Sequence, residues 1–178
     1  MGTSSKSTDA TRLPSDHAMR TRFRTVLDRN AVVEAGAGTG KTTLVVERIL
    51  CLVMGRDIGE RGAAYPSGGL PVLAAPVRIE RIVAITFTEL AAAELAARVR
   101  DRMTEVLGAA RIAGDGATEQ LLVAALADLP RASITTIHGF CSRVLREYAL
   151  EAGLDPSFET LDPDNLHVYA CRFSSFVV

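Results

Sequence analysis

Short apolar runs alternate with longer segments of helical periodicity along this chain. Three runs are typical of buried strands, namely AVVEA, RIVAITF and ASITTI at positions 31–35, 81–87 and 132–137. Five segments carry apolar residues at the spacing of a helix face: 15–29, 42–54, 88–108, 118–126 and 138–153. Strands that alternate with helices predict an α/β fold, in which a parallel sheet is flanked by helices.

The clearest predicted helix is the alanine-rich segment 88–108, which ends in a glycine. Its apolar stripe consists of Leu90, Leu95, Val99, Met103 and Val106. In the first helix Ser15 is the predicted N-cap, and in front of it a polar tail covers residues 1–14. The segment 55–78 is rich in glycine and proline and is predicted to be a surface insertion.

The sequence AGAGTGKT at positions 35–42 matches the phosphate-binding loop pattern, with Ala35 where the pattern more often has glycine. Glycines in such a loop let the backbone direct its amides at a phosphate, and the helix that follows adds its positive end. The lysine can bridge β- and γ-phosphates, and the threonine hydroxyl can bind magnesium. The predicted ATP site consists of Ala35, Gly36, Ala37, Gly38, Thr39, Gly40, Lys41 and Thr42.

Within this loop Lys41 and Thr42 are the predicted catalytic residues, and Thr42 is the predicted ligand of Mg²⁺. The alternative is a glycine-rich turn that caps an ordinary helix. Two observations favour the phosphate loop: it lies between a predicted strand and a predicted helix, and Lys41 is one of only two lysines in the chain. ATP and Mg²⁺ are therefore the predicted cofactors.

Composition adds exclusions rather than a function. The 178 residues are 48% hydrophobic and 23% charged, as expected for a soluble globular protein. The net charge of -1 predicts no general affinity for nucleic acid, so any DNA contact requires a local patch. Three cysteines without a CxxC pair, no signal peptide and no membrane-spanning run together predict a cytoplasmic protein.

Three segments in order resemble the N-terminal motifs of superfamily 1 DNA helicases of the UvrD/RecB type, most closely the AddA/RecB-like subunits of ATP-dependent exonuclease complexes. They are AGAGTGKTTLVVERI, IVAITFTELAAAELAARVRDRM and ASITTIHGFCSRVLREYALEAGLDPSFETLD. The resemblance implies a RecA-like P-loop NTPase fold and a role in DNA recombination and repair. The partners that it implies are single-stranded DNA, double-stranded DNA and an AddB/RecC-like subunit.

The resemblance further implies DNA contacts at the strand ends. In this family the positions of Thr86, Phe87 and Thr88 contact single-stranded DNA, hydroxyls to phosphate and the ring to a base. The positions of Thr136 and His138 line the DNA path. The alternatives are that Phe87 is a core residue and that His138 is a helix cap or a core residue.

The sequence departs from the family pattern at two points. The segment 13–23 contains no glutamine, the residue with which family members read adenine. Leu90 stands where many members have lysine, which would remove one backbone phosphate contact.

An apolar strand ending in Asp-Glu, which hydrolysis requires, is not found. The nearest run ends at Asp128, but its composition is helical and Leu129 replaces the glutamate. We therefore expect an N-terminal fragment of a longer protein, with an incomplete first motor domain at 15–162 and a divergent tail at 163–178. The alternatives are a stand-alone nucleotide-binding or DNA-binding module without turnover, and a small P-loop kinase.

Overall fold

The computed structural model describes residues 16–59, 61–155 and 157–158. In chain order the elements are α1 (His17–Thr25), α2 (Lys41–Met54), β1 (Val83–Thr86), α3 (Glu89–Ala113), α4 (Gly116–Asp128), β2 (Ser133–Thr136) and α5 (Ile137–Glu147). A short 3-10 turn precedes each strand, at Ile79–Arg81 and Leu129–Arg131. The predicted N-cap Ser15 and the predicted tails at 1–14 and 163–178 lie outside the described residues.

The two strands form a parallel pair, in which Val83 lies opposite Ser133 and Thr86 opposite Thr136. α3 and α4 connect them, as a parallel crossover requires. One face of the pair contributes Ala84 and Ile134 to the core, and the predicted parallel arrangement of these two segments is confirmed.

The predicted first strand, 31–35, is not formed. No secondary structure is assigned from residue 31 to residue 36, and the side chain of Val32 is 98% exposed. A strand exists only where a neighbouring strand pairs its backbone N–H and C=O groups. Within the described residues β1 and β2 pair only with each other, so the apolar character of 31–35 has no ladder to join.

The core lies where α2, α3 and α4 meet, and its apolar stripes follow the helical spacing of the sequence. Its most buried large side chains include Leu50, Met54, Val99, Met103 and Leu122. The segment 55–78 takes part in it, because it buries Ile58 and Leu70 against these helices. The segment is thus largely irregular, as its glycines and prolines predict, but it also contributes side chains to the core.

α3 begins where the sequence predicts and ends later. The Thr88 side chain caps its first turn by accepting a hydrogen bond from the Ala91 N–H at 3.1 Å. The helix continues through Gly108 and ends at Gly114 in the left-handed conformation. Buried residues on both sides of Gly108 offset the small helical preference of one glycine. Leu90, predicted on the apolar stripe, is instead 80% exposed.

The later helices follow the sequence with one difference. α4 ends at Asp128, which confirms that the apolar run before it is helical. α5 ends at Glu147, six residues before the predicted glycine stop at Gly153. The residues between Glu147 and Gly153 form turns, and one of the backbone hydrogen bonds there runs from the Leu154 N–H to the Ala149 carbonyl.

Candidate nucleotide-binding site

The glycine-rich loop turns directly into the first residue of α2. Gly38 and Gly40 have φ angles of +75° and +84°, in the left-handed region that glycine alone enters without cost. Gly40 is also the N-cap residue of α2, so the loop ends at the positive end of that helix. This local geometry suits a bound phosphate group.

Lys41 lies across this loop. Its ammonium Nζ donates to the carbonyl oxygens of Ala35 and Gly36, both at 2.6 Å, while the side chain remains exposed. The Thr39 hydroxyl donates to the same Gly36 carbonyl at 2.8 Å. Thr42 follows as the second residue of α2 and is exposed. The structure thus holds the Lys41 ammonium on two carbonyls of the predicted loop, which it can exchange for phosphate oxygens.

A cavity of about 550 Å³ lies beside the loop, between α1 and the irregular segment 29–35. Its apolar wall includes Met19, Phe23, Val26 and Leu44, and Lys41 lies at its edge. An apolar wall next to a phosphate loop can accept the base of a nucleotide.

Sequence reasoning missed Arg20, which connects α1 to the loop. Its Nη2 donates to the Thr39 carbonyl oxygen at 2.7 Å, and its Nε donates to Asp16 Oδ2 at 2.7 Å. The spacing of four residues could have indicated the pair with Asp16. No feature of the sequence indicates the contact with Thr39, which lies nineteen residues away.

Two further arginines fix α1 against α2. Arg48 donates to the carbonyls of Phe23 and Val26, and its guanidinium lies 4.8 Å from the centre of the Phe23 ring. Arg24 is buried and pairs with Glu47 at 3.6 Å and with Asp57 at 3.1 Å. Since buried charges require such partners, these contacts hold the cavity wall in place.

The carboxyl end of β1 presents the predicted DNA-contact residues. Phe87 directly follows the strand and is 96% exposed, so the alternative that it is a core residue is wrong. The Thr86 hydroxyl donates to the Thr88 carbonyl at 3.0 Å, and Thr88 caps α3. These bonds fix the backbone on both sides of the exposed ring.

At the end of β2 the two predicted DNA-contact residues, Thr136 and His138, differ in their exposure. Thr136 is buried, its hydroxyl donates to Glu89 Oε1 at 2.7 Å, and its oxygen accepts from the Gly139 N–H at 3.1 Å as the N-cap of α5. His138 is exposed on α5, so it is neither the cap nor a core residue. Glu89 is a residue that sequence reasoning missed, because its partner lies 47 positions away.

The remaining candidate chemistry is limited. No cluster of three or more histidine, cysteine or acidic side chains in the described ranges is arranged to hold a metal ion. Magnesium can be held by phosphate oxygens together with one protein hydroxyl, which is the role that Thr42 fits. Burial raises the pKa of the Cys51 thiol to about 11, which keeps it protonated at neutral pH.

A phosphate-loop sequence that opens a helix, in a chain that also forms a parallel strand pair, indicates the P-loop NTPase class. Comparison with known families specifies it further. The model of the UvrD/REP helicase N-terminal domain matches residues 17–173, and the chain belongs to this family. The match extends eleven residues beyond the boundary at 162 expected from the sequence.

The chain is also similar to curated helicase/nuclease subunits. The chain is 38% identical over 135 residues to AddA, an ATP-dependent helicase/nuclease subunit of Desulforudis audaxviator, and the match covers 76% of this chain and 9% of that protein. It is 40% identical over 134 residues to the protein of the same name from Moorella thermoacetica, covering 75% of this chain and 8% of the relative. The chain thus spans less than a tenth of the length of these relatives.

None of the helices in the described part of the chain combines the length and the apolar character needed to span a bilayer.

Proposed function

We propose that this chain is the ATP-binding part of an ATP-dependent DNA helicase or helicase-nuclease subunit that acts in DNA recombination and repair. The observation that carries the proposal is the position of Lys41 at the start of α2, with its ammonium inside a loop whose glycines have positive φ. Membership of the UvrD/REP family supports it. In this proposal residues 15–162 belong to the ATP-binding domain.

Each loop residue has a role in the proposed site. The backbone amides of 36–40 and the N-terminus of α2 bind the β-phosphate, and Lys41 neutralises the β- and γ-phosphates. The Thr42 hydroxyl provides a magnesium ligand. Bound MgATP supplies the phosphoanhydride bond whose hydrolysis drives a helicase, while this part of the chain binds and orients the nucleotide.

We further propose that single-stranded and double-stranded DNA bind at the carboxyl ends of the two strands. Phe87 offers an exposed ring for a base, and Thr86, Thr88 and His138 lie at the same edge of the strand pair with groups suited to phosphate oxygens. Thr136 is buried and bonded to Glu89, so its role is to hold α5 and α3 together beneath this surface. An AddB/RecC-like subunit is the proposed protein partner.

The alternatives differ in what they explain. A small P-loop kinase explains the loop but not the family match, which extends far beyond it. A stand-alone module that binds nucleotide without turnover shares the whole site and differs only in the chemical step. Nucleotide binding is therefore the first property to test.

The test is a titration of the 178-residue chain with ATP in the presence of Mg²⁺, measured by isothermal titration calorimetry. We expect binding that Lys41→Ala weakens by about 2–3 kcal/mol, because a charged partner of the phosphates is lost. Lys41→Arg is the matched variant that keeps the charge but changes the geometry. Equal affinity of the wild-type chain and Lys41→Ala would refute the proposed site.

A further inference from the structure

We infer that Arg20 is a positioning residue of the phosphate loop, which sets the direction of the Gly40 amide by holding the Thr39 carbonyl. The inference rests on the proposed function of the loop and concerns a residue outside it. Arg20 belongs to α1, and its guanidinium reaches the loop across the edge of the cavity.

A single peptide plane connects Arg20 to an amide of the loop. The carbonyl of Thr39 and the N–H of Gly40 belong to the same planar trans peptide, so they point in opposite directions. Since Arg20 holds that carbonyl toward α1 at 2.7 Å, the Gly40 N–H points away from α1. The direction of one amide of the phosphate loop is thus determined by a side chain of another element.

This peptide plane needs an external restraint. Gly40 has a φ of +84°, and a glycine tolerates either orientation of the peptide before it at low steric cost. By binding the Thr39 carbonyl, Arg20 favours the orientation in which this carbonyl points toward α1. A Cβ at Gly40 would lie 3.4 Å from Arg20 Nη1, so the close approach of the guanidinium also depends on glycine at this position.

Arg20 is itself oriented by a neighbour on α1. Asp16, one turn earlier, accepts from Arg20 Nε at 2.7 Å, while Nη2 is used for Thr39. A guanidinium can serve both acceptors because its donors form a rigid planar fork, whereas the lysine ammonium is a single donor centre. Asp16, Arg20 and Thr39 therefore form a chain of charge-assisted bonds from α1 to the loop.

The test compares ADP with AMP binding to the 178-residue chain by isothermal calorimetry. Because a phosphate loop holds the β-phosphate, Arg20→Ala is expected to weaken ADP binding about tenfold, the size of one charge-assisted hydrogen bond, and to leave AMP binding unchanged. Arg20→Lys is expected to recover part of the loss. Asp16→Asn, which leaves Arg20 in place, should weaken ADP binding by a smaller factor and should also leave AMP binding unchanged.

The control is Arg22→Ala, which removes the same charge from the same helix. Arg22 is exposed and lines the cavity, but in the described part of the chain its side chain donates no hydrogen bond to the loop. Because ADP and AMP share the base, we expect any change from this variant to be equal within twofold for ADP and AMP. Thermal unfolding of each variant, measured without nucleotide, separates a loss of binding from a loss of fold.

The outcomes distinguish the inference from the proposed function. A loss for ADP alone in Arg20→Ala, with no loss specific to ADP in Arg22→Ala, supports the inference. Equal effects of Arg20→Ala and Arg22→Ala, or equal losses for ADP and AMP, overturn it while Lys41-dependent binding of ADP still supports the proposed function. If the wild-type chain and Lys41→Ala bind ADP alike, the proposed function fails and the inference fails with it.

Discussion

Three hydrogen-bond donors converge on the carboxylate of Asp115, between α3 and α4. The Thr118 hydroxyl lies 2.7 Å from Oδ2, the Thr118 N–H lies 3.1 Å from Oδ1, and the Tyr65 hydroxyl donates to Oδ2 at 2.8 Å. The bonds from Thr118, above all, hold the pKa of Asp115 well below its ordinary value. One residue thus caps α4 and fastens the segment 55–78 to it.

This residue makes stability depend on pH in a defined direction. Because the folded-state pKa is lowered, the stabilisation is complete above about pH 5 and decreases progressively as the pH falls from about 4 toward the folded-state pKa. We expect Asp115→Asn to lower the free energy of unfolding by about 1.5 kcal/mol at pH 7, and the difference from wild type to shrink in acid. Urea unfolding between pH 3 and pH 7 measures it.

The matched control for this experiment is Asp28→Asn, because the Asp28 side chain is 73% exposed. Its effect should be within about 0.5 kcal/mol at every pH. A loss in Asp115→Asn that did not change with pH would contradict the assignment of the stabilisation to the charged carboxylate.

At the scale of elements, two helices end on a left-handed glycine in different surroundings. Gly55 ends α2 with a φ of +59°, and a Cβ there would lie 2.2 Å from the Ala74 carbonyl oxygen. Gly114 ends α3 with a φ of +72°, and a Cβ there would meet nothing within 4 Å. The first glycine is required for both conformation and space, the second for conformation alone.

We therefore expect Gly114→Ala to destabilise the chain by about 1–2 kcal/mol, the cost of the left-handed conformation. Gly55→Ala should cost about 3–5 kcal/mol, because the segment 73–76 must also move. The pair is its own control, and chemical denaturation of both variants is the measurement. Equal losses would show that the packing of 55–78 against α2 is looser than the structure has it.

At the scale of the whole molecule, the parallel pairing of β1 and β2 places strand ends fifty residues apart in sequence side by side. Thr86 lies opposite Thr136, so Phe87 and His138 follow neighbouring strand ends on the same edge of the sheet. α3 extends from this edge over 25 residues, about 37 Å, toward Ile112. Exposed apolar residues at its two ends therefore belong to separate surfaces.

If the strand-end surface binds DNA, Phe87→Ala should weaken binding of an oligo(dT) by about 1–3 kcal/mol, the contribution of one stacked base. Phe87→Tyr keeps the ring and should bind like wild type. Ile112→Ala removes an equally exposed side chain, 92% exposed, from the far end of α3 and should change nothing. Fluorescence anisotropy measures all four proteins, and a similar loss in both alanine variants would refute a specific surface.

The features that could be predicted from the sequence are local. The glycines and lysine of 35–42 and the spacing of apolar residues in α2 and α3 predicted the loop and the helices, because these features depend on bonds within a few residues. The family resemblance, confirmed by the match over 17–173, also depended on short segments in order.

The features that could not be predicted from local sequence involve partners far apart in the chain. The segment 31–35 has the composition of a strand but no neighbour to pair with among the described residues, while Gly108 lies inside a helix that its packing continues. The contacts of Arg20 with Thr39 and of Glu89 with Thr136 join different elements. The exposure of Phe87 likewise depends on how the elements pack. Pairing and burial depend on which elements meet, and local spacing does not contain that information.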